Sequence, residues 1–253
     1  MSMAPVSTPD LREDETLEDL QLRGLRLLQK KTGFRFGMDS VLLADFAAVR
    51  AQDRVADFGT GSGVLPLLLF GRGKGSEFHG IEIQPDMAEM AERTMRMNHL
   101  EDRVRIYTAD AGNAWDLFGP CSMDAVVCNP PYGRAGASLK NPTQSRAVAR
   151  HQEEDTLTRF FKSAFRILKG KGKISLVYPA EQALVLMQAM QRAGLEPKRF
   201  RLVYPFADKP ANLVLAEGVK DAKPLLQPMP PLIVYERQGV LTNELKSVYD
   251  NNG

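Results

Sequence analysis

Cysteine, unbroken apolar runs and net charge are what this 253-residue sequence has least of. Two cysteines cannot build a disulfide framework, and Cys128 sits in an apolar strand pattern where a thiol packs as a small hydrophobe. No cluster with metal-ligand spacing appears either, so no metal is expected. No segment has the length and apolarity of a membrane span. Residues 1–10 have neither the basic head nor the apolar centre of a secretory signal, so a cytoplasmic location is expected. The net charge of +2 permits a nucleic-acid partner without demanding one. Oligomeric state leaves no mark in these quantities. What is present is the composition of an ordinary globular protein, 43% hydrophobic and 25% charged. A chain of this length can bury roughly 70–75% of its unfolded surface without staples.

Residues 1–10 and 250–253 are expected to be loose ends around an ordered region from 11 to 249. Inside it, apolar runs at 54–58, 77–83, 104–107 and 125–128 alternate with helical patterns at 64–70 and 87–98. This alternation predicts a mostly parallel sheet with helices on both faces. A helix over 157–168, a strand over 173–178 and a helix over 181–193 continue it, with Gly170 and Gly194 placed as C-cap glycines. The last two strand-like runs, 199–204 and 212–217, are joined by too few residues for a parallel crossover and should pair antiparallel. Leu17 to Leu28 fits neither the helical nor the strand period. Met87, Met90, Met95 and Met97 read as flexible core packing rather than a cofactor box.

Asn129-Pro130-Pro131-Tyr132 directly follows the run Asp124-Ala125-Val126-Val127-Cys128. An exocyclic amine conjugated to a ring is a poor nucleophile until acceptors localise its lone pair. The Asn129 side-chain oxygen and the Pro130 carbonyl supply two. Consecutive prolines stiffen the loop, and Tyr132 offers a flat face to an unstacked base or another planar amide. An ordinary strand-to-loop turn is the competing reading.

Asp57-Phe58-Gly59-Thr60-Gly61-Ser62-Gly63 ends a strand and opens a helix, so the backbone can pass close to a ligand lying across the strand ends. Glu82 ends the next strand at the spacing of a ribose-binding carboxylate, and Asp110 ends the third, where it or the neighbouring Ala111 amide can read the rim of an adenine ring. A dinucleotide site shares these parts, but its glycine spacing differs. Asp57, two positions before the first glycine, would repel a pyrophosphate and attract the ammonium of an amino-acid cofactor. S-adenosylmethionine therefore fits better than NAD. Any one of the three acids would be explained as a turn cap; all three together are not.

These motifs resemble those of class I methyltransferases of the amino-methylating group. With Gly33-Phe34-Arg35-Phe36-Gly37-Met38-Asp39-Ser40 and the following Val41 to Ala44, Ala149-Arg150-His151, Val203-Tyr204-Pro205 and Pro231 to Tyr235, the chain resembles the bacterial tRNA (adenine-N6)-methyltransferase family from about Leu17 to about Tyr249. That family methylates the adenosine immediately 3′ of the anticodon, position 37, of a valine tRNA. It tends to have Glu where this chain has Gln152, and Tyr where it has Leu241.

The resemblance implies an α/β, Rossmann-like fold with a mostly parallel seven-stranded sheet, an antiparallel C-terminal hairpin and one methyltransferase domain over 11–249. Its segment 11–50, including Phe34, Phe36 and a helix over Val41 to Ala48 capped by Asp39-Ser40, should cover the methionine end of the cofactor. The cofactor would be held by Phe36, Asp57, Gly59, Thr60, Gly61, Gly63, Glu82, Asp110, Ala111 and Asn129, with catalysis at Asn129, Pro130, Pro131 and Tyr132.

Beyond the NPPY loop, Arg134, Lys140, Arg146, Arg150 and His151 occur with no acid until Glu153. With Tyr132 they could grip RNA and a flipped nucleotide, or form a solvated loop. Lys198, Arg199 and Arg201 read as solvated surface. A protein-glutamine methyltransferase, an rRNA- or DNA-directed enzyme and a non-catalytic nucleic-acid-binding module are the rivals. The glutamine-directed enzyme would be expected to bring a helical N-terminal domain and the DNA-directed one a base-recognition domain, for which there is no room, and intact Asp57, Glu82, Asn129 and Tyr132 argue against the last.

Overall fold

The computed structural model describes residues 11–32, 36–130 and 156–250, the Asp250 side chain excepted. Expectations for 1–10, Gly33-Phe34-Arg35, Pro131, Tyr132, Arg134, Lys140, Arg146, Arg150, His151, Gln152 and 251–253 lie outside the described residues.

Leu17 to Leu28 forms an antiparallel hairpin of β1 (Glu15–Asp19) and β2 (Arg26–Lys30), with Leu17 opposite Leu28. Leu27 packs into the large core and Leu28 into a second cluster with Met90 and Met97. A strand apolar on both faces has no alternation, which is why neither period shows in the sequence. After α1 (Met38–Phe46) comes β3 (Arg54–Phe58), and from there strand and helix alternate. The succession is α2 (Val64–Gly71), β4 (Glu77–Glu82), α3 (Pro85–Met97), β5 (Val104–Thr108), α4 (Ala114–Phe118) and β6 (Met123–Cys128). Helical residues 156–167, α5, run directly into β7 (Leu168–Pro179), followed by α6 (Ala183–Arg192), β8 (Leu195–Tyr204) and β9 (Leu213–Lys220).

The seven long strands lie in the order β8-β9-β7-β6-β3-β4-β5, and β9 alone among them runs against the rest. Two short strands, β10 (Gln227–Pro228) and β11 (Leu232–Ile233), add parallel to β8. The β11 pairing sets Leu232 beside Val203 and Ile233 beside Tyr204, joining two sequence-distant segments that carried the family resemblance. A small hairpin of β12 (Tyr235–Arg237) and β13 (Val240–Leu241) precedes α7 (Asn243–Asp250).

Period-two alternation divides the core across the sheet. From β6, Ala125 and Val127 enter the cluster under the hairpin, α1, α2 and α7, while Val126 and Cys128 enter the one under α4, α5 and α6. Phe58, fully buried, contributes about 1.5–3 kcal/mol to this packing. The chain leaves β3 towards β4 and β5, then returns to lay β6 on the other side of β3. That reversal opens the crevice where ligands of such sheets bind.

Three local expectations are corrected. The first helix starts at Met38 with Gly37 at its N-cap, so Asp39 and Ser40 lie inside its first turn, and it ends at Phe46. Gly170 lies within β7 rather than at a helix C-cap, because α5 passes into the strand without a turn; the left-handed residue there is Lys171, φ 63°. Gly194, φ 83°, does stand just past α6. Arg199 and Arg201 are not free surface charges: both are half-buried and paired. Arg199 forks onto buried Glu217 at 2.8 and 3.1 Å and lies 4.6 Å over the Phe46 ring, and Arg201 pairs with Glu244. Period-two spacing gave no hint of these partners.

Candidate active site

Register places the site's two main parts side by side. Phe58 pairs with Cys128 across β3 and β6, so Gly59 and Asn129 are the next residues of adjacent strands. Gly59, Gly61 and Gly63 take φ of 73°, 55° and 87°, a left-handed path that glycine follows without strain. A Cβ at Gly63 would stand 2.3 Å from Met95 Cε, so this glycine also lets α2 and α3 approach.

Glu82 locks the turn from below. Its Oε2 accepts Gly61 N–H and its Oε1 accepts Gln84 N–H, both at 2.9 Å, while the side chain stays almost fully buried. Asp110 accepts Gly112 N–H at 2.8 Å and pairs with Arg159 of α5 at 2.6 Å. Glu82, Asp110, Ala111, Gly59, Gly61 and Asn129 together line a cleft of about 740 Å³. Phe36 and Thr60 line a recess that shares Gly59, Gly61 and Asn129 with the cleft.

Asp57 is not on that wall. It is buried within β3, and neither oxygen meets a hydrogen-bond partner among the described residues. Burial pushes its carboxyl up to about 7; the nearby Glu82 charge adds to the rise and the Thr60 hydroxyl opposes it. The Thr60 hydroxyl itself completes no hydrogen bond of ordinary geometry among the described residues. Asp57 thus lies behind the glycine turn, out of contact with the cleft.

Asn129 directly follows β6, and its Nδ2 donates to Ser40 Oγ of α1 at 3.1 Å. Its Oδ1 is buried without a partner among the described residues. An unpaired buried acceptor costs about 1–3 kcal/mol, which a donated hydrogen bond would recover. Pro130 is buried beside it.

Several cleft residues escaped the sequence reading. Asp14, Lys30 and Thr32 come from the N-terminal hairpin, and Thr156, Arg159 and Phe160 from the first described turn of α5. Met87, read as core, is only partly buried and lines the cleft, whereas Met90, Met95 and Met97 are core. Ser40, a helix-cap residue by its sequence, lies inside α1 and lines the recess. No local spacing links any of these residues to the strand ends they meet.

Residues 35–193 match the Methyltransferase small domain family. A tRNA1(Val) (adenine(37)-N6)-methyltransferase of Tolumonas auensis is 31% identical over 188 residues, covering 74% of this chain and 77% of that protein. One of the same name from Parabacteroides distasonis is 28% identical, covering 82% and 85%. Among solved structures, a predicted O-methyltransferase of Agrobacterium tumefaciens superposes with a TM-score of 0.67 at 22% identity, over 85% of this chain and 97% of that one. TYW2 of M. jannaschii, solved in complex with AdoMet, gives 0.54 at 16% identity, over 82% and 86%. These structural likenesses speak for the fold.

Proposed function

The chain belongs to the Methyltransferase small domain family and, within it, to the tRNA1(Val) (adenine(37)-N6)-methyltransferases, and from that premise we propose that it transfers a methyl group from S-adenosylmethionine to N6 of an anticodon-loop adenosine, position 37 of a valine tRNA. The observation that carries the chemistry is the buried, unpartnered Oδ1 of Asn129 at the strand end beside the glycine turn.

The residues fit the cofactor. A Cβ at Gly59 would meet nothing within 4 Å, so the turn leaves open space along its backbone. Glu82 supplies a fixed carboxylate for the ribose, Asp110 and Ala111 stand for the base, and Phe36 with Thr60 and Gly63 flanks the amino-acid end. The buried Asp57 carboxyl favours a cationic ligand. When bound, the cofactor supplies an electrophilic methyl on a sulfonium.

Asn129 Oδ1 and the Pro130 carbonyl then accept the two N–H groups of the adenine amine, drawing its lone pair out of the ring. These bonds strengthen as the nitrogen gains positive character, which is where differential stabilisation lies. The nitrogen would take the methyl as the sulfonium released it, and its surplus proton would then pass to water. Ser40, by holding Nδ2, keeps the amide oxygen facing the acceptor.

Pro131 stiffens the loop and Tyr132 stacks on the extruded base, while Arg134, Lys140, Arg146, Arg150 and His151 grip RNA phosphates. We assign residues 11–249 to one methyltransferase domain with 11–50 covering the cofactor, and place the protein in the cytoplasm. No helix among the described residues is long and apolar enough to cross a membrane.

Methyl transfer from labelled cofactor to fractionated RNA, DNA and protein tests the reading. Label in tRNA as N6-methyladenosine supports it. Label in DNA, or in a glutamine side chain of protein, overturns it.

A further inference from the structure

Asp110 does not face the cleft alone. Arg159, 49 residues further along the chain, reaches its Oδ2 from α5 at 2.6 Å, while the Gly112 N–H holds its Oδ1 at 2.8 Å. Both side chains line the cleft with Ala111 and Phe160. A Cβ at Gly112 would stand 2.9 Å from Arg159 Nη2, 3.1 Å from Asp110 Oδ1 and 3.2 Å from Arg159 Nε, so a side chain there would nudge the flexible end of Arg159 aside.

We propose that Arg159 is a positioning residue for the base of the cofactor, holding the Asp110 carboxylate so that its unused lone pairs meet an exocyclic amine; this rests on the S-adenosylmethionine reading of the cleft. A carboxylate has about four lone-pair sites, and two are taken here by Arg159 and Gly112. The others accept from an amino group and repel a keto oxygen. Held at two points, Asp110 has no rotamer freedom to lose when the ligand arrives. Arg159 is itself 58% exposed, so it serves Asp110 by fixing the direction of its carboxylate rather than by neutralising a buried charge. The pair thereby selects adenine over a base with oxygen in place of nitrogen.

Calorimetry on the full chain with S-adenosylhomocysteine and S-inosylhomocysteine tests this, since the two ligands differ at the base position that Asp110 addresses. The wild type is expected to prefer the adenosyl ligand by about 10- to 100-fold, as sites built around a hydrogen-bonding group do when that group is missing. Arg159→Ala is expected to weaken the adenosyl ligand by roughly two- to fivefold, the worth of an exposed ion pair, and to leave the inosyl ligand almost unchanged, so that discrimination narrows. Arg159→Lys should recover part of it. Gly112→Ala, which keeps the charge but displaces the guanidinium, should move discrimination in the same direction as Arg159→Ala. Equal losses for both ligands, or unchanged discrimination in Arg159→Ala, overturn the proposal. So does an unaltered ligand profile with weakened tRNA binding, which would give Arg159 to the RNA. A wild type that binds neither ligand would remove the cofactor reading itself.

Discussion

Ser40 Oγ accepts a hydrogen bond from Asn129 Nδ2 across 3.1 Å, tying the first turn of α1 to the end of β6. The contact fixes which way the Asn129 amide points. Ser40→Ala is expected to lower kcat by roughly 2- to 10-fold, the worth of one neutral hydrogen bond, with little change in cofactor Kd. Steady-state kinetics beside calorimetry checks this split. A loss confined to Kd would instead make Ser40 a cofactor-binding residue.

Glu82 has two tasks, because the carboxylate proposed for the ribose also clamps the Gly61 and Gln84 N–H groups. Glu82→Ala should weaken S-adenosylhomocysteine binding by at least the roughly 1.5–3 kcal/mol of one charge-assisted hydrogen bond, about 10- to 100-fold. Glu82→Gln keeps an acceptor oxygen and should lose less. Titration calorimetry of both variants decides it, and equal affinity in Glu82→Ala and the wild type would remove the ribose assignment.

Asp57 makes stability fall as pH rises. Its folded pKa of about 7 lies above the ordinary 3.8, so the folded chain keeps a proton that the unfolded chain has released. Ligand-free protein should lose stability progressively from about pH 4 to about pH 7 through this group and stay level above. Asp57→Asn should remove that slope. A cationic ligand favours the ionised carboxylate, so wild-type affinity for S-adenosylmethionine should rise towards a plateau above pH 7. Denaturant melts and binding titrations across this range provide both curves; a pH-independent difference between the wild type and Asp57→Asn would contradict the account.

Arg199→Ala leaves the Glu217 carboxylate buried without its cation and severs the tie from β8 and β9 to α1. Removing one partner of a buried pair costs about 3–5 kcal/mol. Arg199 is itself partly exposed, so the lower end of that range is expected, read as a fall in the denaturant midpoint. Loss of stability without loss of cofactor affinity per folded molecule is the predicted pattern.

The parts of the site that were legible in the sequence are those held by local geometry. The Gly59 to Gly63 turn, Glu82 and Asp110 follow strands whose apolar runs show in composition, and Asn129 follows the apolar run of β6. The residues brought in from elsewhere were not legible. Ser40 reaches Asn129 across 89 positions and Arg159 reaches Asp110 across 49, and neither spacing has a periodic signature. Arg199 and Arg201 looked like surface charge because their partners, Glu217 and Glu244, lie on other elements. Leu17 to Leu28 was ambiguous for a different reason: burial of both faces of β2 erased the alternation that marks a strand. Asp57 was placed correctly at the strand end, yet nothing in its spacing tells whether its carboxylate faces the ligand or the interior.

Transfer of a methyl group to N6 of an anticodon-loop adenosine is tested most directly by mass spectrometry of tRNA from cells with and without this protein. N6-methyladenosine should disappear from position 37 of valine tRNA in its absence, return with the wild-type chain, and stay absent or strongly reduced with Asn129→Ala. An unchanged N6-methyladenosine content in every tRNA anticodon loop, or full restoration by Asn129→Ala, would contradict the account.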